Sequence, residues 1–597
     1  MAVEEIEKLQ GDRKMSAKEM LPRVFKYLKP EIWNVLLALL LSFLNVALDI
    51  IVPKFMQGVM DELENKARLF DVLSSLDAPR YIIVLAVSMF ALTILGQIFI
   101  FLETLVLNKA GQRVVYSLRM EVFEHIQNMS QDQLNEMPVG SLVTRVANYT
   151  ASLSELFTNI LVNALRNIVT IIGVFVIMFT IEPSLAGIMA AFLVLVFVIS
   201  FVFRNIVRKI FTKERKYVSD LNAFLNENLS GMKIIQLFNQ ELRKEDEFGV
   251  KNEALRRCRN NVMVAYGIYR PLLSFIYCCA VGTVFFFGLE FGLSSGAVLA
   301  FYLYISKFFN PIQSLADQLN GIQRAFSSSE RLFNLLDVKP AVKDLPDAIE
   351  LGDVEGKIEF KNVWFAYEQE NWILKDVSFT INPKETCAFV GATGAGKTTI
   401  LQLIVRNYEI QKGDIFIDGI NIKNIKMDSL RKTIGQMLQD VFLFTGNIRT
   451  NITLHDDSYT DEEIMEVCKY VNADSFINKT EKGLDEEIIE RGENFSQGQR
   501  QLLSFARTVL AKPKILILDE ATANIDTETE VVIQESLEKI KNIGTMLVVA
   551  HRLSTIQKAD QIIVLQNGEI IEKGNHQELL KNKGYYYKLY QVQFAEK

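Results

Sequence analysis

Apolar residues form long uninterrupted runs in the first half of the chain and short runs, broken by polar residues, in the second half. A membrane-spanning helix needs about 20 mostly apolar residues. Six stretches meet this requirement, at residues 32–52, 81–107, 156–180, 185–206, 266–289 and 296–315. The pattern therefore predicts an α-helical membrane domain of six transmembrane helices, followed by a domain of α/β type.

The connections between the predicted spans are of two kinds. Those at 181–184 and 290–295 are short and contain no Lys or Arg, whereas those at 108–155 and 207–265 are long, charged and helical in their periodicity. Basic residues cluster at 204–216, where the second long connection begins, and such an excess is typical of cytoplasmic segments. A helix rises about 1.5 Å per residue, so these long cytoplasmic extensions would reach roughly 40 Å below the membrane.

An even number of spans puts both termini in the cytoplasm. The loop at 53–80 mixes basic and acidic residues and does not follow the charge rule. Before the first span, Leu21, Val24, Phe25 and Leu28 have the spacing of one helix face. We expect residues 19–29 to form a short amphipathic helix in the membrane interface.

Charged residues inside the predicted spans are costly and suggest function. They are Asp49, Glu103, Arg166, Arg270 and Lys307. One interpretation places Glu103, Arg166 and Lys307 in a water-filled cavity. The same interpretation places Asp49 and Arg270 at the membrane interface. Two interpretations stay open for this set, a structural or interfacial role and contact with a transported substrate.

Composition limits the classes of partner. The net charge of −7 argues against nucleic acid as the main partner. The five Cys residues have neither the spacing of a metal site nor that of a disulfide framework.

One eight-residue segment, 391–398, fits the phosphate-binding loop of nucleotide hydrolases, G-x-x-x-x-G-K-[ST]. A strand pattern at 386–390 precedes it and a helical pattern at 399–405 follows, which is the context that the motif requires. Its glycines let successive backbone N–H groups face one concavity, and the helix start adds positive potential. Lys397 would reach the β- and γ-phosphates, and Thr398 would bind Mg²⁺.

A second motif follows in the same domain. Residues 515–518 are an all-apolar run, as expected for a parallel strand covered on both faces, and the run ends in Asp519 and Glu520. His551 follows the apolar residues Val548, Val549 and Ala550.

These motifs, in this order after six spans, resemble a bacterial ATP-binding cassette exporter half-transporter of the type IV, multidrug and lipid exporter class. The resemblance extends over nearly the whole chain. It implies that Tyr367 stacks on adenine, that Glu520 polarises the attacking water, and that His551 contacts the γ-phosphate. It also implies that Gln439 and Asp519, with Thr398, serve the Mg²⁺ ion. The nucleotide-binding residues it implies are Tyr367, Gly391, Ala392, Thr393, Gly394, Ala395, Gly396, Lys397, Thr398 and Thr399.

The same resemblance assigns a segment that acts on the ATP of a second subunit. Ser496, Gln497, Gly498 and Gln499 are similar to the family signature, usually Leu-Ser-Gly-Gly-Gln, in which a helix start meets the γ-phosphate. Asp526 matches the anchor of the loop that crosses the dimer. Because the chain has one set of motifs, it is expected to dimerise with a second half-transporter.

Gln497 departs from the family, which usually has Gly at this position. A bulkier residue would crowd the phosphate, while Glu520, Gln439 and His551 are intact. This combination resembles one half of an asymmetric heterodimer, in which this chain's catalytic residues form the competent site. The alternative is a homodimer that tolerates Gln497.

Two stretches of the long connections, 140–145 and 231–238, resemble the short coupling helices that dock on the ATPase domain. Residues 441–444 are an apolar patch that could receive one of them.

Taken together, we expect ATP-driven export of small amphiphilic molecules, drugs or lipids, by alternating access across the inner membrane, with ATP and Mg²⁺ as cofactors. The predicted parts are a cytoplasmic N-terminus with the interfacial helix (1–29), the transmembrane domain (30–322), a linker (323–355) and the nucleotide-binding α/β P-loop ATPase domain (356–597). An exporter-fold importer of siderophore-like compounds and an ATP-gated channel remain alternatives.

Overall fold

The computed structural model of the chain describes residues 14–66, 68–69, 76–368, 371–437, 441–519, 527–549 and 556–594. They form two compact units. The helical unit comprises the residues up to His125 together with Val139–Asp337. The α/β unit comprises Ile126–Pro138 and the residues from Val338 onward.

The helices of the helical unit are, in chain order, α1 (Ala17–Leu28), α2 (Ile32–Leu63), α3 (Ala78–Gln127, which ends in the α/β unit), α5 (Val139–Thr144), α6 (Thr150–Glu155), α7 (Val162–Ile181), α8 (Pro183–Ser230), α9 (Met232–Leu237), α10 (Glu241–Glu290) and α11 (Ser295–Leu336). Between α3 and α5, helix α4 (Gln131–Asn135) belongs to the α/β unit. Single π-helical turns at Arg145–Tyr149 and Leu156–Leu161 join α5, α6 and α7 into one helical run.

Several helices of this unit are much longer than the predicted spans, as the long, charged connections in the sequence predicted. Helices α3 and α10 each have 50 residues and α8 has 48, so each continues well beyond a bilayer-spanning length. Among the described residues, five helical runs are long and apolar enough to cross a membrane: Lys18–Leu63, Ala78–Gln127, Val139–Ile181, Pro183–Ser230 and Glu241–Glu290. The sixth predicted span lies in α11, which has 42 residues.

One hydrophobic cluster links α2, α7, α8, α10 and α11. Its largest buried side chains include Phe301 and Tyr304 of α11. The Tyr304 hydroxyl donates a hydrogen bond of 2.8 Å to the carbonyl of Ile50 on α2, which satisfies this polar group inside the cluster.

The amphipathic helix before the first span is confirmed as α1. Ser16 caps it by accepting a hydrogen bond of 3.3 Å from the Glu19 amide. The predicted apolar face divides in two, since Val24 and Leu28 are buried against protein whereas Leu21 and Phe25 are exposed. Only the second pair is available to lipid.

The strands of the α/β unit are β1 (Ile358–Ala366), β2 (Trp372–Ile381), β3 (Thr386–Val390), β4 (Lys412–Ile417), β5 (Ile420–Asn421), β6 (Ile434–Met437), β7 (Gly446–Asn447), β8 (Glu487–Ile488), β9 (Ile515–Asp519), β10 (Thr545–Val549), β11 (Gln561–Gln566) and β12 (Glu569–Gly574). Its later helices are α12 (Lys397–Ile404), α13 (Met427–Thr433), α14 (Ile448–Thr453), α15 (Asp461–Tyr470), α16 (Asp474–Ile477), α17 (Gln497–Leu510), α18 (Thr527–Ile540), α19 (His576–Asn582) and α20 (Tyr585–Phe594).

The main sheet has the strand order β12-β11-β3-β10-β9-β6, and only β12 is antiparallel to its neighbour. A second sheet, β2-β1-β4-β5, is antiparallel. Alternate residues of the main strands enter two different hydrophobic clusters, for example Leu516 in one and Ile517 in the other. The sheet is therefore covered on both faces, which explains the continuous apolar runs in the sequence.

The predicted domain limits stay a prediction. Helix α11 continues through residues 323–336, the first part of the predicted linker, and the α/β unit resumes at Val338.

Candidate functional site

The phosphate-binding loop leaves the fully buried strand β3 and enters helix α12 at Lys397. Gly396 caps this helix with φ of 99°, a left-handed conformation that favours glycine. A Cβ atom on Gly391 would lie 2.3 Å from the Leu565 carbonyl oxygen. Both glycines are therefore required by the local backbone, and the sequence motif corresponds to the expected strand–loop–helix.

Lys397 lies at the centre of this loop. Its Nζ atom donates hydrogen bonds of 2.8 Å to the Gly391 carbonyl and 3.0 Å to the Ala392 carbonyl. Only 7% of the residue is exposed. Burial lowers the pKa of Lys397, and the negative charge of Asp519 partly opposes this effect. The loop thus folds around a buried cation, which suits a polyphosphate ligand.

The residues around the loop are arranged for a nucleotide with a metal ion. Thr398, in the first turn of α12, is exposed, and Asp519 is the last residue of β9. Strand β9 pairs with β10, which pairs with β3, so Asp519 and the loop lie at the same carboxyl edge of the sheet. A hydroxyl and a carboxylate are ligands that Mg²⁺ accepts, so the described residues fit the ion.

Tyr367 lies near the same helix. Its hydroxyl is 3.1 Å from Oγ1 of Thr399, and its ring meets the rings of Phe365 and Tyr408 edge to face at 4.9 Å and 5.1 Å. The residue is 43% exposed, so one face of the ring is accessible to a flat ligand. Sequence reasoning did not find Tyr408.

The predicted signature begins helix α17. The Ser496 hydroxyl accepts a hydrogen bond of 3.2 Å from the Gln499 amide, and the Gln499 side chain accepts one of 2.9 Å from the Ser496 amide. This capping box satisfies the two amides and orients the helix start. Gly498 is buried, while Gln497 is exposed in the first turn.

Four predicted site residues lie outside the described residues. They are Gln439, Glu520, Asp526 and His551. The structure therefore brings together Tyr367, the phosphate loop and Asp519, and the roles of the other four stay predictions.

Within the first long connection, helix α4 packs inside the α/β unit, and the docking role of residues 140–145 stays a prediction. Gln133 is fully buried, and its Nε2 atom donates to the Lys339 carbonyl at 2.8 Å. Its Oε1 atom accepts from the Ala341 amide at 3.3 Å. Lys339 and Ala341 are far from Gln133 in the sequence, and no local pattern in α4 predicts these contacts.

The predicted apolar patch at 441–444 is exposed only in part, because Leu443 is buried in the core. Phe442 and Phe444 are exposed with their rings 5.1 Å apart. Asn451 brackets Phe444 with hydrogen bonds of 2.8 Å to its amide and carbonyl. Arg507 donates to the carbonyls of Asn451 and Phe442 at 2.8 Å and 3.2 Å, and burial lowers its pKa. Sequence reasoning missed this support.

The charges in the spans form two ion pairs. Arg166 of α7 pairs with Glu103 of α3 and donates to the Ser42 hydroxyl of α2 at 2.9 Å. Lys307 of α11 pairs with Asp49 of α2. Because Glu103 is only 1% exposed, it is a buried structural partner and does not lie in a water-filled cavity.

A helical unit with membrane-spanning helices and a P-loop α/β unit on one chain define a membrane transporter powered by nucleotide hydrolysis. The profile of the ABC transporter transmembrane region matches residues 35–312, and the ABC transporter profile matches residues 374–523. The chain belongs to the ABC transporter family.

Two relatives and one solved structure are similar to this chain over most of its length. The protein exp8 of Streptococcus pneumoniae, named as a putative ABC transporter ATP-binding protein, is 36% identical over 96% of this chain and 97% of its own length. YheH of Bacillus subtilis, named as a probable multidrug resistance ABC transporter ATP-binding/permease protein, is 36% identical over 82% of this chain and 74% of its own length. A bacterial Atm1-family ABC exporter with ATP bound has a TM-score of 0.76 and 25% identity, with 95% of this chain and 98% of that chain covered.

The chain is thus an ATP-binding, ATP-hydrolysing exporter of the inner membrane. It spans the membrane several times, its ATPase domain is cytoplasmic, and it works as a dimer in the bilayer.

Proposed function

We propose that the chain is the catalytically complete half of a heterodimeric exporter that moves small amphiphilic molecules, drugs or lipids, by alternating access. The observation that carries this proposal is the buried Lys397 inside a complete phosphate loop, combined with Gln497 in the signature. The similarity to YheH, named as a probable multidrug resistance transporter, supports the drug class of substrate.

In this proposal the residues of the loop bind the phosphates of ATP. Lys397, already held by two carbonyls, balances the β- and γ-phosphate charge, and Tyr367 offers its exposed face to adenine. Thr398, Asp519 and Gln439 would hold Mg²⁺, which when bound would neutralise developing charge on the phosphates. Glu520 would orient and polarise the attacking water, and His551 would contact the γ-phosphate.

Helix α17 would provide the second nucleotide-binding surface of the chain. Its N-terminus is oriented by the capping box of Ser496 and Gln499, which leaves the amides of Gln497 and Gly498 for a phosphate held by the other subunit. Gln497 would narrow that space, so the site completed by this signature would turn over slowly. Asp526 would anchor the crossing loop of the dimer.

Two helices would transmit motion between domains. Helix α4 is held on its own α/β unit by Gln133. Helix α9 has the exposed apolar side chains Ile234, Leu237 and Phe238, which complement the exposed Phe442 and Phe444 of a second subunit.

ATPase activity in lipid tests the proposal. The purified chain is measured alone and after co-expression with the half-transporter encoded beside it. Activity that requires the neighbour, and that Glu520→Gln of this chain removes while ATP still binds, is the expected result. Strong activity of the chain alone would replace the heterodimer by a homodimer that tolerates Gln497. Unchanged hydrolysis in Glu520→Gln would overturn the catalytic assignment.

The alternatives have distinct readouts. An importer of siderophore-like compounds would accumulate its ligand in cells, whereas an exporter lowers the amount inside. An ATP-gated channel would give single-channel currents without coupled transport. The same reconstituted protein serves for both measurements.

A further inference from the structure

A large cavity lies within the helical unit where the spans meet their cytoplasmic extensions. Its volume is about 1270 Å³, enough for a ligand of drug or lipid-headgroup size. Helices α8, α10 and α11 supply most of its lining, and the region around Tyr149 supplies the remainder.

The charge of this lining is one-sided. Among the described residues that line the cavity there are six arginines and neither Asp nor Glu. The arginines are Arg204, Arg208, Arg215, Arg270, Arg324 and Arg331. They come from three helices, so the arrangement is a property of the packed unit and not of a single basic stretch.

Most of these arginines have no carboxylate partner. In the part of the chain that the structure describes, Arg204, Arg208, Arg215 and Arg324 form no ion pair. Glu214, the acid beside Arg215, pairs with Arg259 at 3.1 Å. Several unneutralised guanidinium groups around one space create a strong positive potential, which an anion would relieve.

The end of the cavity nearer the membrane is aromatic. Phe203 stacks on Tyr269 with ring centres 3.8 Å apart, and Tyr277 meets Phe309 edge to face at 5.7 Å. The hydroxyls of Tyr269 and Ser200 are 2.9 Å apart. These residues lie in or beside the predicted spans, whereas Arg208, Arg215 and Arg324 lie beyond them. Arg204 and Arg270 adjoin the aromatic residues Phe203 and Tyr269 in the sequence, so the lining combines an aromatic region with cationic groups that extend beyond the spans.

Arginines at the cytoplasmic ends of spans also anchor helices to lipid headgroups. That role requires side chains on the lipid-facing surface. Here all six line one cavity together with seven aromatic residues: Tyr149, Phe203, Phe211, Tyr266, Tyr269, Tyr277 and Phe309. Headgroup anchoring alone does not explain this convergence.

We propose that this cavity selects amphiphilic anions, with the anionic group, a phosphate, sulfonate or carboxylate, on the arginines and the apolar body against the aromatic residues. The inference rests on the proposed export function and narrows its substrate class. Arg204 and Arg208 lie one helical turn apart on α8 and can contact the same anion.

Calorimetric titration of the full-length dimer in detergent tests this selectivity. The probes are dihexanoyl phosphatidic acid, dihexanoyl phosphatidylcholine with the same acyl chains, inorganic phosphate, and naphthalene-2-sulfonate as a soluble aromatic anion. We expect at least one of the two amphiphilic anions to bind about tenfold or more tightly than either the phosphatidylcholine or the phosphate. Binding of phosphatidic acid alone would identify a lipid headgroup as the source, and binding of the sulfonate alone a soluble aromatic anion.

The arginines are tested by Arg204→Gln with Arg208→Gln, which should weaken anion binding about tenfold or more. Lysine at both positions keeps the charge and should restore part of the affinity. Lys209→Gln is the matched control, since it removes one positive charge from the same helix outside the cavity lining and should change nothing.

Equal affinity for phosphatidic acid and phosphatidylcholine without binding of the sulfonate would overturn the proposal, as would unchanged anion binding in the double glutamine variant. Tight binding of inorganic phosphate alone would overturn the requirement for an apolar body. Continued ATP-dependent transport of neutral or cationic dyes in these cases would leave the export function standing, so the two failures are distinguishable.

Discussion

Asn135 of α4 donates a hydrogen bond of 3.2 Å from Nδ2 to the hydroxyl of Tyr408, and the Tyr408 ring in turn lies 5.1 Å from that of Tyr367. The first long connection of the chain is therefore two contacts away from the proposed adenine-binding residue. Gln133, two residues before Asn135, fixes the same helix to Lys339 and Ala341. The proposed adenine-binding residue and helix α4 therefore belong to one network of contacts.

Removing Asn135 should weaken coupling more than hydrolysis. One neutral hydrogen bond contributes about 0.5–1.5 kcal/mol, so Asn135→Ala should reduce stimulation of ATPase activity by a transported drug several-fold and change basal activity little. Tyr408→Phe removes the same bond while its ring still meets Tyr367, and it should behave alike. An unchanged ratio of stimulated to basal activity in both variants would contradict this network.

Gln133→Ala should have a larger effect, because it removes a fully buried side chain that holds both the Lys339 carbonyl and the Ala341 amide. The expected loss is about 1–3 kcal/mol of docking free energy, visible as stronger uncoupling and a lower unfolding temperature of the α/β unit. Glu136→Gln, at the exposed end of the same helix, is the control and should be close to wild type in both measurements.

Lys397→Ala should lower ATPase activity by about a hundredfold or more, since it removes the buried charge that faces the phosphates. It also removes the two hydrogen bonds that hold the loop at Gly391 and Ala392, so ATP affinity should fall as well. Lys432→Ala removes an exposed charge from the same unit and should leave both quantities unchanged. Full activity of Lys397→Ala would exclude the loop as the ATP site.

Features that depend on interactions between neighbouring residues could be predicted from the sequence. The phosphate loop, the cap at Ser496 and the apolar run before Asp519 are local, so the residues that determine them are neighbours in the chain. Five of the six predicted spans lie in helical runs that are long and apolar enough to cross a membrane.

Contacts between distant segments were not predictable. Gln133 meets Lys339 and Arg166 meets Glu103 only because of tertiary packing, and a polar residue in isolation does not indicate its partner. Residues 140–145 were assigned by family resemblance, which gave no indication of the buried amide of Gln133. Arg204, Arg208 and Arg215 were interpreted as a topology signal and Arg270 as a charge inside a span. The convergence of all six cavity arginines depends on the packing of three helices.

The ion pair between Arg166 and Glu103 should stabilise the helical unit mainly by avoiding an unpaired buried charge. Glu103→Leu or Arg166→Leu alone should each cost about 3–5 kcal/mol, while the double variant should recover much of that loss. The unfolding temperature in detergent measures the cycle. The same changes at Asp49 and Lys307 are the control and should be smaller, because the Asp49 side chain is half-exposed. Additive losses at Arg166 and Glu103 would show that the pair has no coupling energy.

Gln497→Gly tests whether this single side chain slows the site that the signature completes. Because Gln497 is exposed while Ser496 and Gln499 form the cap, glycine would widen the phosphate space and leave the capping box in place. ATPase activity of the assembled dimer should rise several-fold, and Gln497→Ala should give most of that rise. Gln499→Ala is the contrasting variant, since loss of its cap costs about 1 kcal/mol and should lower activity. Equal or lower activity of Gln497→Gly would mean that the glutamine is tolerated, and the heterodimer would lose its main support.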